Sequence, residues 1–104
     1  MKNPKELPEY KALIKITKDV TFAPAGKRGS FKFQDKRYPN VFYSVANTKA
    51  FNMTANWSLL RKDGSSTQLD FDYVMTYKAA FKLILKFYKR TELRIAIRTL
   101  KGLL

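Results

Sequence analysis

Phe51-Asn52-Met53-Thr54-Ala55-Asn56-Trp57-Ser58-Leu59 alternates apolar and polar residues without a break. Phe51, Met53, Ala55, Trp57 and Leu59 fall on one side, and Asn52, Thr54, Asn56 and Ser58 on the other. A period of two with one greasy side is the pattern of a strand buried on one face. Lys62-Asp63-Gly64-Ser65 comes next, and Asp-Gly tolerates the positive φ of a tight hairpin turn. Leu69, Phe71, Tyr73 and Met75 then alternate with Asp70, Asp72 and Val74. This predicts an antiparallel partner strand that turns the four apolar residues toward the core.

Moving outward toward the N-terminus, Val41, Tyr43 and Val45 follow the Tyr38-Pro39-Asn40 break as a third strand. Phe31 and Phe33 flank Lys32 in another. Pro24-Ala25-Gly26-Lys27-Arg28-Gly29-Ser30 reads as a turn. From Ala12 to Phe22 the even positions Ala12, Ile14, Ile16, Val20 and Phe22 alternate with more polar odd ones, so this segment also reads as a strand, with Lys18 marking a bend or bulge.

Toward the C-terminus the period changes. Thr76 is an acceptable N-cap. Tyr77 to Tyr88 holds Ala79, Ala80, Phe81, Leu83, Ile84, Leu85 and Phe87 with no glycine or proline, which predicts a helix with a wide apolar face. The final segment is open to two readings. Leu93, Ala96, Ile97, Leu100 and Leu104 fit a helix capped by Thr91, while Leu93, Ile95 and Ile97 alternate as a strand; helix is favoured. The expected class is α+β: a four- to five-stranded antiparallel meander followed by one or two C-terminal helices packed on one face. A single domain is expected over 1–104, with an N-terminal arm at 1–9, the sheet at 10–75 and a basic amphipathic helical region at 76–104.

Charge is the strongest functional signal. The chain of 104 residues carries 21 Lys and Arg against 8 Asp and Glu, a net charge of +13. Residues 1–37 hold ten of the basic residues and 77–104 hold eight, the latter against Glu92 alone; residues 38–76 are balanced at three of each sign. Such an excess repels itself in a compact chain, and an anionic partner relieves it. Lys78, Lys82 and Lys86 recur every fourth residue, joined by Lys89 and Arg90, and Arg94 and Arg98 repeat the spacing. Like charges at that spacing destabilise a helix by a few tenths of a kcal/mol per pair. Phosphates along a nucleic acid would neutralise them and release counterions. A second cluster, Lys27, Arg28, Lys32, Lys36 and Arg37, is interleaved with Phe31, Phe33 and Tyr38. Glycines beside it permit close approach to a phosphate, and exposed aromatics beside cations stack bases. Phe31 and Phe33 read more naturally as core.

Other classes are disfavoured. There is no cysteine and no histidine, so disulfides and ordinary zinc sites are excluded. The spacing of a phosphate-binding loop is missing around Gly26-Lys27. Asp70 and Asp72 share one strand face without a third acid, and are expected to pair with basic residues of a neighbouring strand. Neither a cofactor nor a catalytic role is expected. The two Asn-X-Ser/Thr triplets at Asn52 and Asn56 lie inside a predicted strand and read as chance. No run of 18 apolar residues occurs, and Met1 to Glu9 lacks a signal peptide's apolar centre. The expectation is therefore an intracellular or intravirion protein. The leading expected function is low-specificity nucleic-acid binding, with single-stranded DNA or RNA favoured. The alternative is a small subunit of a virion or ribonucleoprotein assembly, acting through protein contacts or as a homo-oligomer. A membrane-surface role for 77–104 is the weakest reading. The order of sheet then helix resembles, in topology and through no motif, single-strand binders of the Whirly type.

Overall fold

The computed structural model describes residues 3–21, 29–47 and 53–100, and of 94–100 the backbone alone. A single 3₁₀ turn at Pro4–Glu6 leads into α1 (Pro8–Ile16) and β1 (Thr17–Asp19). Then come β2 (Phe31–Asp35), β3 (Val41–Asn47), β4 (Met53–Leu60), β5 (Ser66–Val74) and α2 (Tyr77–Leu100). The strands form one antiparallel sheet in the order β1-β2-β3-β4-β5, so every neighbour in sequence is a neighbour in space. The α+β class, the five-stranded meander and a C-terminal helix on one face of the sheet are as the sequence predicts.

β4 buries Met53, Ala55, Trp57 and Leu59 and leaves the alternate residues half-exposed. β3 does the same with Val41, Tyr43 and Val45, and β2 with Phe31, Phe33 and Asp35. The β4–β5 turn works as its residues require. Gly64 has φ 86°, and Asp63 accepts hydrogen bonds from the Ser65 amide (2.9 Å) and hydroxyl (2.6 Å). α2 is a single unbroken helix rather than two, and its Ala79 amide donates to the Thr76 hydroxyl at 3.1 Å. Ala80, Phe81, Ile84, Phe87 and Thr91 are its buried stripe. Thr91, expected to cap a second helix, instead sits fully buried and donates to the Phe87 carbonyl at 2.7 Å, one turn back.

Two predictions fail, each for a definable reason. Residues 8–16 are helical, not a strand, and the arm expected at 1–9 already contains the start of α1. Pro8 occupies the first turn with Glu9, where a fixed φ and a carboxylate both favour a helix N-terminus. Glu9, Lys11, Ala12, Leu13 and Lys15 are good helix formers, and β-branched residues begin only at Ile14. The buried residues Tyr10, Leu13 and Thr17 follow a helical period, while Ile14, a core residue in the strand reading, is 40% exposed. The second failure is in β5. A register irregularity falls between Trp57 and Ser58, which pair with Asp70 and Gln68, so Leu69 is an extra residue in β5. One extra residue in a strand exchanges the faces of everything beyond it. Leu69 is therefore buried, but Phe71 and Tyr73 are 47% and 63% exposed, and Met75 is exposed just beyond the strand. Asp70 lies opposite Trp57 and Asp72 opposite Ala55, not opposite basic residues.

Both helices lie on the buried side of the sheet. Tyr10 of α1 packs against Phe31, Phe33 and Phe81, with ring centroids 5.8–6.0 Å apart. Such aromatic pairs add about 0.5–1.5 kcal/mol each beyond their buried area. The Tyr10 hydroxyl donates to Asp19 at 2.7 Å and so ties α1 to β1. Burial, then that bond, raises the Tyr10 hydroxyl from its ordinary value of 10 to about 12. Burial works against the Asp19 charge, but bonds from Thr21 and Tyr10 outweigh it and lower its pKa.

These shifts set opposite limbs of a stability profile. Tyr10 holds its proton more tightly when folded, so its contribution is complete below pH 10 and is lost as pH rises toward 12. Asp19 holds its proton less tightly when folded, so its contribution is lost as pH falls below the carboxylate range. Urea unfolding across pH should show Tyr10→Phe flattening the alkaline fall and Asp19→Asn flattening the acid one; unchanged limbs would contradict the assignment.

Candidate nucleic-acid interface

Eight of the twelve cations singled out by the sequence have a described place. Lys78, Lys82, Lys86, Lys89 and Arg90 are all exposed on α2. At 3.6 residues per turn they fall on the side opposite the stripe of Ala80, Phe81, Ile84 and Phe87. Among the described residues, both ion pairs involve Arg37, so none of these five cations meets a carboxylate. The side chains of Arg94 and Arg98 lie outside the described residues, as do Lys27 and Arg28. Lys11 and Lys15 of α1 are also exposed in the helical layer; the strand reading of that segment concealed them.

The second cluster comes apart. Lys36 closes the C-terminus of α1: its ammonium lies 3.4 Å from the Ile14 carbonyl and 3.3 Å from that of Lys15, and its amide donates to Ile16 at 3.3 Å. The Leu13 carbonyl accepts from both the amide of Thr17 and its hydroxyl, the latter at 2.6 Å. Three carbonyls that the helix end leaves without an amide of its own, those of Ile14, Lys15 and Ile16, are thereby met, with a cation at the negative end of the dipole.

Arg37 is likewise engaged. Its guanidinium contacts the Asp35 carboxylate at 3.3 Å and donates to the Tyr88 carbonyl of α2 at 2.8 Å. It also stacks 3.8 Å from the Tyr88 ring. Burial opposes its charge, but the hydrogen bond and charge of Asp35 outweigh that and raise its pKa. Asp35 itself is buried and further accepts from the amides of Arg37 (2.7 Å) and Tyr38 (3.3 Å) and from the Tyr43 hydroxyl (2.6 Å). Burial, then that bond, pushes the Tyr43 hydroxyl far above its ordinary range. Its oxygen lies 2.6 Å from that of Thr91. Gly29, with φ 86°, makes room for Tyr77, whose hydroxyl donates to the Gly29 carbonyl at 2.8 Å. Its missing side chain thus serves an internal contact.

Lys32 alone of this cluster's described members stays outward, on the sheet face away from the helices, with its ammonium 4.6 Å from the centre of the Phe42 ring. Phe31 and Phe33 are core, as expected. A cleft of about 510 Å³ between α1 and β1–β2 is lined in part by Asp19 and Asp35, but both carboxylates already hold donors. Among the described residues no group of three potential ligands could hold a metal, and no helix is long and apolar enough to cross a membrane. Comparisons with family models, curated proteins and solved structures give no match.

Arg37→Ala leaves a buried carboxylate short of its cation and should lower unfolding free energy by about 2 kcal/mol in urea titration. Arg37→Lys should recover little of it, because an ammonium cannot stack and bridge as the guanidinium does. Wild-type stability in either variant would show that the clamp does not hold the fold.

Proposed function

We propose that the protein binds nucleic acid through its phosphates, with the outward side of α2 as the principal contact and little sequence preference. One observation supports this above the rest: Lys78, Lys82, Lys86, Lys89 and Arg90 share one exposed side of a helix, and no carboxylate among the described residues meets them. Repulsion along the row opposes helix formation, and a phosphate chain converts that cost into binding. Ammonium groups act as point charges without directional base readout, so affinity is expected to follow charge and not sequence. Lys36 and Arg37 are left out of the contact set, because their donors are directed at carbonyls and at Asp35.

The reading is tested by salt. Five phosphate contacts on duplex DNA give a slope of about −4.5 in log K against log salt, or a roughly 500-fold loss of affinity between 50 and 200 mM. Lys82→Gln with Lys86→Gln should flatten that slope by about 2. Fluorescence anisotropy with a labelled duplex measures both. No binding at low salt, or a slope untouched by the double substitution, would refute the reading.

A further inference from the structure

The face of the sheet turned away from the helices carries a charge and aromatic pattern that the core does not require. α1 and α2 both pack on the other side, and no described element lies over this one. Cross-strand register places Lys32, Ser44, Asn56 and Phe71 in one row from β2 to β5. Three strand spacings separate its ends, about 14 Å. Phe42 lies in the adjacent row and Tyr73 pairs with Thr54 in the next. Phe71 and Tyr73 contact each other edge to face, with centroids 5.8 Å apart.

Three observations point to what covers this face. First, the four carboxylates of the strands, Asp19, Asp35, Asp70 and Asp72, all lie on the helix side by register, whereas Lys18 and Lys32 lie on the open side. The open face is thus cationic and free of strand carboxylates. Second, the exposed aromatics are there because of the irregularity at Leu69. In regular register Phe71 and Tyr73 would turn inward and Asp70 and Asp72 outward, the arrangement the hydrophobic effect alone favours. Bulges characteristically re-aim side chains next to functional sites. Third, the middle of the face is uncharged and polar, with Ser44, Thr54, Asn56 and Ser58 between the aromatics and the lysines. A second sheet packed here would need apolar residues at those positions. Pairing of β5 with another copy's edge is opposed by the bulge and by Asp70 and Asp72.

We infer that the open face of the sheet is a stacking platform for unpaired bases: a single nucleic-acid strand lies across β2 to β5, its bases against Phe42, Phe71 and Tyr73 and its phosphates near Lys18 and Lys32. Aromatic rings accept every base because every base has a π-face, and the amide and hydroxyl row beneath meets base edges. A duplex presents no free base faces and gains nothing from these rings. The inference rests on the nucleic-acid reading of α2 but concerns the opposite side of the molecule, so the two fail separately.

The test is anisotropy of the full chain with labelled oligothymidylate, oligouridylate and duplex DNA, comparing wild type, Phe71→Ala/Tyr73→Ala and the α2 double substitution. Neither ring is in the core, so the alanine variant should stay folded at the assay temperature, its unfolding midpoint lowered only by loss of the Phe71–Tyr73 contact. The aromatic variant should lose at least about fivefold in affinity for both single strands, with its salt slope and duplex affinity unchanged. Phe71→Tyr/Tyr73→Phe should retain single-strand affinity. Ultraviolet cross-linking of a 4-thiothymidine oligonucleotide should label the β5 peptide. Equal single-strand affinity of wild type and alanine variant overturns the platform; if the α2 variant is weakened in that same experiment, phosphate binding stands without it. An equal loss on duplex overturns it, as does a wild-type dimer, seen by sedimentation, that the alanine substitutions dissociate. Absence of binding to all three probes overturns both readings.

Discussion

The buried carboxylate of Asp35 is the contact on which the orientation of the molecule depends. It gathers two backbone amides of the β2–β3 turn, the Tyr43 hydroxyl of β3 and the Arg37 guanidinium. Arg37 and Tyr43 then reach α2 at Tyr88 and Thr91. An ionised group removed from water is tolerated only with such partners. A buried ion pair adds little net stability when compared with apolar packing, so the consequence to weigh is geometric. A helix packed on a sheet by Phe81, Ile84 and Phe87 alone has some freedom to roll about its axis. The Arg37 bond to the Tyr88 carbonyl and the close Tyr43–Thr91 contact oppose such rolling, and so help to fix which way Lys82 and Lys86 face.

How much of this is legible in the sequence depends on the range of the interaction concerned. β4 and α2 are readable because their patterns are set by burial on one side, which repeats with the backbone period. Asp63-Gly64 is readable because the turn chemistry is local. α1 is misread because Ala12, Ile14 and Ile16 alternate by accident, and that short apolar run outweighs Pro8 and the helix formers after Glu9. The face exchange in β5 leaves no trace in its own alternation. Leu69, Phe71, Tyr73 and Met75 still read as one stripe, and only pairing with Trp57 and Ser58 reveals the extra residue.

The candidate site divides along the same line. The α2 cations are recognisable because the helix that presents them is local. Lys36 and Arg37 look equivalent to Lys32 in sequence, but their partners lie 21, 22 and 51 residues away at Lys15, Ile14 and Tyr88. Nothing in the spacing of the loop anticipates them. Phe71 and Tyr73 are the converse: assigned to the core by alternation, they are left outside by tertiary register.

Separating acids from cations ties these features together. Among the described carboxylates, Asp19, Asp35 and Asp63 secure a helix, a buried junction and a turn. None lies against the exposed side of α2. With a net charge of +13, the folded chain therefore retains an electrostatic strain that its own acids are poorly placed to relieve. Any polyanion that recognises the folded arrangement of cations, and the unfolded chain less well, stabilises the fold by mass action. On the proposed reading, stability and binding depend on one charge distribution: the repulsion that opposes the isolated fold is the repulsion a bound polyanion would relieve.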